Sequence, residues 1–205
     1  MAAIANLQSV PPKLSYEEFL TAYDGVRAEW VDGEVVMVLP ASDRHQDLVD
    51  FLVALLHIYI ETKELGWVRS APFQMRLTPL ARGREPDLLF VKKERIDLIQ
   101  ATYLNGPADL AVEVTSPESL LRDRGEKFAE YELAGIPEYW LLDPDRQRAD
   151  FYVLGTDGRY RLVTVGEDGI YHSQALAGFW LKVSWLWQNP LPKVLTVLRE
   201  LKIME

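Results

Sequence analysis

Glu85-Pro-Asp-Leu-Leu-Phe-Val91 and Asp109-Leu-Ala-Val-Glu-Val-Thr-Ser-Pro117 decide how this chain is read, with Gly135-Ile-Pro-Glu-Tyr-Trp-Leu-Leu-Asp-Pro144 closing the stretch. Each holds a short apolar run of strand length, rich in β-branched and aromatic residues and bounded by Pro or Gly. In Asp109–Thr115 the side chains alternate, so Asp109, Ala111, Glu113 and Thr115 share one face while Leu110, Val112 and Val114 share the other. The near-continuous apolar character predicts a sheet covered on both sides. Glu113 is the anomaly, because an ionised carboxylate in such a run needs a cation or a hydrogen-bonding partner.

Asp87 opens the preceding strand after Pro86, and adjacent strands lie about 4.8 Å apart. Two carboxylates at ~4 Å repel by roughly 4 kcal/mol at an effective dielectric near 20. A bound Mg²⁺ converts that repulsion into binding, since it takes oxygen ligands and keeps waters for chemistry. Asp109 is set aside: four residues of strand carry it about 13 Å from Glu113, and it reads as a strand-start acid facing solvent. The segment Ser119–Leu133 reads as a helix stopped by Gly135, and it places Lys127 one turn after Asp123. A lysine beside a metal-bound water orients that water or steadies charge on a phosphate; read alone, the pair is a surface ion pair.

Working outward, Ser15-Tyr-Glu-Glu18 is a capping box opening a short helix to about Tyr23. Ala28–Val38 reads as a hairpin around Asp32-Gly33. Ser42 or Asp43 caps a long helix to about Glu64 that is apolar nearly all round, hence buried on two sides: one against the sheet, the other against the hairpin or a second subunit. His57 inside it reads as a core histidine, and His172 as surface. Trp67–Leu77, Leu88–Val91, Leu110–Val114 and Tyr139–Leu142 read as strands. Antiparallel strands follow around Phe151–Leu154, Arg159–Val165 and Ile170–Gln174, and a closing helix spans Val194–Leu201. The expected architecture is α/β: one domain over residues 1–205 with a core at about 43–143. An N-terminal helix and hairpin occupy 15–40, and C-terminal strands and a helix occupy 150–203. Residues 1–12 read as a loose arm.

The chain has 205 residues, 48% hydrophobic and 26% charged, as expected of a globular protein. It has no cysteine, which excludes disulfide and thiolate chemistry and suits a reducing cytoplasm. No apolar run is long enough to span a membrane, and the start lacks the features of a secretion signal. The net charge of −9 argues against coating nucleic acid by bulk attraction. From Arg76 to Lys127, however, nine basic residues match nine acidic ones. Phosphate contacts are therefore expected among Arg82, Arg84, Lys92, Lys93, Arg95, Arg122 and Arg124.

These motifs, together with Asp123-Arg-Gly-Glu-Lys-Phe-Ala-Glu-Tyr131, Glu29-Trp-Val-Asp-Gly-Glu34 and Ser42-Asp-Arg-His-Gln46, closely resemble the Uma-type restriction endonucleases of the PD-(D/E)XK nuclease superfamily. The likeness covers roughly residues 15 to 190. It implies a restriction-endonuclease-like core of helix, three strands, helix and strand. It also implies Asp87 and Glu113 as metal ligands. The lysine usual two residues after the glutamate is replaced by Thr115, and Lys127 on the helix matches its relocated counterpart. Glu29 and His45 match further family positions: Glu29 is an extra carboxylate or a strand-edge acid, His45 a base, a supporting group or a helix-start polar residue.

The expected function is a Mg²⁺-dependent endonuclease, with Mn²⁺ as a substitute ion, hydrolysing DNA phosphodiester bonds by an activated water. A cytoplasmic homodimer is expected. The alternative is a catalytically inactive member of the fold serving as a binding or regulatory subunit, which the sequence pI of about 4.9 and the displaced lysine favour. Hydrolysis of a small phosphorylated molecule ranks last, since no glycine-rich phosphate loop is present.

Overall fold

The computed structural model describes residues 13–117 and 119–204, so the arm expected over 1–12 lies outside it. Helix α1 (Tyr16–Ala22) begins with the reciprocal cap its sequence encodes: the Glu18 N–H donates to Ser15 Oγ at 3.2 Å, and the Ser15 N–H donates to Glu18 Oε2 at 2.8 Å. Its buried Tyr16 and Phe19 pack under strand β1 (Ala28–Val31), which pairs with β2 (Glu34–Met37). Asp32 and Gly33 both take positive φ, 51° and 87°, as the tight hairpin turn requires. Helix α2 (Asp43–Thr62) follows, capped by Ser42.

Strands β3 (Gly66–Ser70), β4 (Gln74–Leu77), β5 (Arg82–Arg84), β6 (Leu88–Lys92), β7 (Tyr103–Leu104) and β8 (Leu110–Val114) come next. Helices α3 (Leu120–Arg122) and α4 (Phe128–Ala134) are joined without a break by a π-helical turn, Asp123–Lys127. Strands β9 (Glu138–Asp143), β10 (Arg148–Leu154), β11 (Tyr160–Leu162), β12 (Ile170–His172) and β13 (Trp180–Lys182) and helix α5 (Val194–Glu200) complete the chain.

A six-stranded sheet runs in the order β11-β10-β9-β8-β6-β3, and a five-stranded sheet in the order β2-β1-β5-β4-β7. In the larger one β3, β6 and β8 pair antiparallel, and β9 lies parallel to β8 after the α3–α4 crossover. With α2 in front, that is the expected helix, three strands, helix and strand. The alternation read from sequence sorts the residues correctly. Leu88, Phe90, Leu110, Val112, Val114, Trp140 and Leu142 enter one core with α2, while Leu89, Val91, Ala111, Tyr139 and Leu141 enter the other with α4.

Three local readings differ. Trp67–Leu77 is two strands, because the chain leaves the large sheet after Ser70, turns at Ala71-Pro72, and re-enters the small one as β4. The second face of α2 is covered neither by the hairpin nor by a second copy but by the chain's own Phe179, Trp185, Leu186, Val197 and Leu198. That removes the packing reason for expecting a homodimer. His57 is exposed on α2 rather than a core residue. Strand β12 is antiparallel, as expected, and its partner is β13.

The C-terminal segment is tied down by Glu138, a carboxylate with no exposed surface. It accepts from Trp140 Nε1 at 2.6 Å, Tyr171 Oη at 2.8 Å, Ser173 Oγ at 3.1 Å, and the Gln174 and Ala175 N–H groups at 2.8 and 2.7 Å. Among the described residues, no helix is long and apolar enough to cross a membrane.

Candidate active site

The chain passes from the small sheet to the large one through Glu85-Pro86, and the candidate residues gather at that crossing. Asp87 sits just before β6. Continuing the Leu88↔Val112 register by one residue sets it opposite Glu113. The Val114 N–H donates to Asp87 Oδ2 at 2.8 Å, which fixes the carboxylate against the neighbouring strand. His45, on the first turn of α2, brings Nε2 within 3.3 Å of the same oxygen. Its Nδ1 is buried and has no partner.

On the other side of the cleft the Lys127 ammonium forms ion pairs with three carboxylates: Glu113 Oε1 at 2.8 Å, Glu29 Oε1 at 3.0 Å and Asp123 Oδ1 at 3.5 Å. Tyr131 Oη also donates to Glu113 Oε1, at 2.7 Å. Glu29 comes from β1 of the small sheet and has no exposed surface. Arg84 binds its other oxygen at 2.9 Å and then clamps Glu130 through two bonds of 2.7 and 2.8 Å. Asp87, Glu113, Lys127, Glu29 and His45 thus line a single cleft of about 120 Å³, with Arg27, Glu85, Arg122 and Asp123. The geometry brings all five sequence candidates together.

Helix α3–α4 reaches this arrangement only through its π-helical turn. Such turns cluster at functional sites because they re-aim side chains without ending the helix. The Tyr139 hydroxyl donates to the Asp123 carbonyl in that turn at 3.1 Å.

The charges are unevenly matched. Burial alone would raise the Glu29 carboxyl, but Lys127, Arg84 and Arg122 outweigh it and hold it down at about 2. For Glu113 the balance falls the other way. Burial, reinforced by Asp123, Asp87 and Glu29, outweighs Lys127 and pushes it up to about 8. Burial opposes the Lys127 ammonium, yet Glu113, Glu29 and Asp123 hold its pKa above the usual lysine value. Burial is thus the largest influence on Glu113, and Lys127 offsets only part of it.

A family model described as Uma2, putative restriction endonuclease, matches residues 16–184. The chain belongs to the Uma2 family. Its fold also matches the crystal structure of a putative nuclease from Anabaena variabilis ATCC 29413, with a TM-score of 0.71 at 16% identity. That match covers 86% of this chain and 98% of that one. No curated protein matches the sequence.

Within this Uma2 chain, several basic residues expected at phosphate are committed elsewhere. Arg84 is completely buried between Glu29 and Glu130, so it is a structural clamp. Arg82 binds Asp32 and Glu130, Arg124 binds Asp150, and Arg95 binds Asp109. Asp109 is consequently buried and paired, not solvent-facing, though it stands outside the cleft as expected. Arg122 does reach the cleft, with its Nε buried, unpartnered and 3.9 Å from Glu29 Oε2. Sequence reading missed Arg27, which donates from Nε to Glu85 Oε1 at 2.9 Å and lies 3.8 Å from Asp87 Oδ1. It also missed Tyr131, whose hydroxyl donates to Glu113. The signal was present, since Tyr131 lies four residues after Lys127 and so on its face. Nothing local marked Arg84, whose partners lie 46 and 55 residues away.

Proposed function

We propose that this chain is a divalent-metal-dependent DNA endonuclease of the PD-(D/E)XK type, working in the cytoplasm with Mg²⁺, for which Mn²⁺ substitutes. The observation that carries the reading is the pairing of Asp87 and Glu113 across β6 and β8, beside a buried lysine. Asp87 and Glu113 would hold the ion. Both bonds that anchor Glu113 fall on Oε1, so Oε2 is the oxygen it offers. The donor set suits the ion: hard carboxylate oxygens, few in number, which leave room for waters. Bound there, the metal would supply Lewis-acid stabilisation of the phosphate and a more acidic water.

The chain's own groups do the rest. Lys127 fixes Glu113 and Glu29 in place and sets a positive charge beside the reacting phosphate, where developing charge is stabilised. Arg122 and Arg27 face the cleft to hold phosphate oxygens. His45, beside Asp87, is the side chain placed to take a proton from the attacking water. The water oxygen bonds to phosphorus as the bond to the leaving strand breaks.

Purified protein incubated with plasmid, single-stranded and branched DNA in Mg²⁺ or Mn²⁺ tests the reading. Cleavage must vanish in Asp87→Ala and Glu113→Ala; activity surviving either change refutes it. A second reading is a nuclease-fold binding subunit without activity. It is favoured because, among the described residues, no three His, Cys, Asp or Glu side chains form a metal cluster. Absence of Mn²⁺ binding heat in calorimetry would support it over the nuclease. A homodimer belongs to the leading reading, supported by exposed Leu121 and Leu133 at 85% and 69%. A light-scattering mass of one chain would refute it.

A further inference from the structure

A second cleft, of about 250 Å³, adjoins the carboxylate cleft and is walled by Phe19, Leu20, Tyr23, Pro72 and Phe73. Glu85 lines both clefts. Phe19 and Tyr23 stack with centroids 5.6 Å apart and planes 24° from parallel. Tyr23 and Phe73 stay partly exposed although both are aromatic. The wall between the two clefts is held rigid, because Glu85 is bonded to Arg27 and, at 3.1 Å, to Gln74 Nε2. Glu85 stands two residues before Asp87 in chain, a separation of about 7 Å.

From this juxtaposition we infer that the aromatic cleft receives one unstacked nucleobase of the strand whose phosphate lies at Asp87 and Glu113. This rests on the nuclease reading above. The chemistry is that of single-strand recognition: an aromatic surface takes the π-face of any base without reading its hydrogen-bonding edge. A phosphate in the carboxylate cleft and its neighbouring base beyond the Glu85 wall are one nucleotide apart. A base inside a regular duplex keeps its neighbours on both faces and cannot enter, so the site selects single-stranded, frayed or flipped nucleotides.

The test uses full-length protein in EDTA, so that no strand is cut, and a fluorescent single-stranded DNA in which one abasic position is walked along the chain. Anisotropy should show that a base missing at one position, adjacent to the bond cut when Mg²⁺ is supplied, weakens binding about tenfold. In Phe73→Leu, and separately in Tyr23→Leu on the rim, intact DNA should bind about tenfold more weakly and the abasic penalty should disappear. Circular dichroism shows which variant remains folded, and either one suffices. Equal binding of every abasic strand by the wild type, or an unchanged penalty in a folded variant, overturns the base site while leaving the nuclease reading intact. Failure to cut any intact strand when Mg²⁺ is supplied overturns both.

Discussion

Replacing Lys127 with methionine tests the arrangement most directly. Methionine keeps much of the length and removes the charge, so Glu113, Glu29 and Asp123 lose a cation held at 2.8, 3.0 and 3.5 Å. Removing one member of a buried ion pair costs about 3–5 kcal/mol, because the remaining charge stays desolvated. The loss should depend on pH, and its sign follows from the carboxyls. The folded pKa of Glu29 is depressed from 4.5 to about 2, so it contributes stability above pH 4.5 that is lost as pH falls through 2. The full shift corresponds to about 3 kcal/mol. Without Lys127 that contribution shrinks, so the two proteins converge in acid. Glu113 is raised to about 8, so its proton favours the folded state below pH 4.5 and that advantage is lost as pH rises through 8. Removing the lysine raises it further and deepens the loss at alkaline pH. Urea unfolding in EDTA from pH 3 to pH 9 should therefore show a penalty that grows with pH. A penalty below about 1 kcal/mol at pH 8, or one flat across the range, would refute the proposed coupling.

Asp87→Asn should leave the melting temperature within a few degrees of wild type yet abolish Mg²⁺-dependent DNA cleavage and Mn²⁺ binding heat in calorimetry. Tyr131→Phe removes one donor from Glu113 while leaving Lys127, and Mn²⁺ affinity by calorimetry should fall about tenfold, the usual effect of losing a group that orients a ligand. Glu138→Gln sets amide hydrogens against donors in a fully buried site. It should cost about 2–4 kcal/mol in urea unfolding without altering the affinity for single-stranded DNA.

What was legible in the sequence is what short periods encode. Two-residue alternation in Asp109–Thr115 assigned each side chain to its core, and the same alternation set Glu113 on the face it shares with Asp87. The spacing of Asp123, Lys127 and Tyr131 put all three on one side of a helix. The unreadable parts depend on partners far along the chain. No local pattern says that Gln74–Leu77 abandons one sheet for another, that Arg84 is sealed between two glutamates, or that Asp109 is buried against Arg95. The long apolar helix was read correctly as covered on two sides. Its cover was supplied by residues more than a hundred positions later, which composition cannot distinguish from a second copy.

Between Asp123 and Lys127 the chain stores one residue more than a regular coil would hold. Gly125 sits at the middle of that surplus, and a methyl group built on it would meet nothing within 4 Å. Excising Gly125 should let the segment tighten into uninterrupted α-helix, turning one half about 100° against the other. Arg122 with Asp123, or Lys127 with Tyr131, would then face the carboxylates, but not both pairs together. A one-codon deletion at an uncrowded glycine should thus dismantle the pocket while every side chain named in it survives.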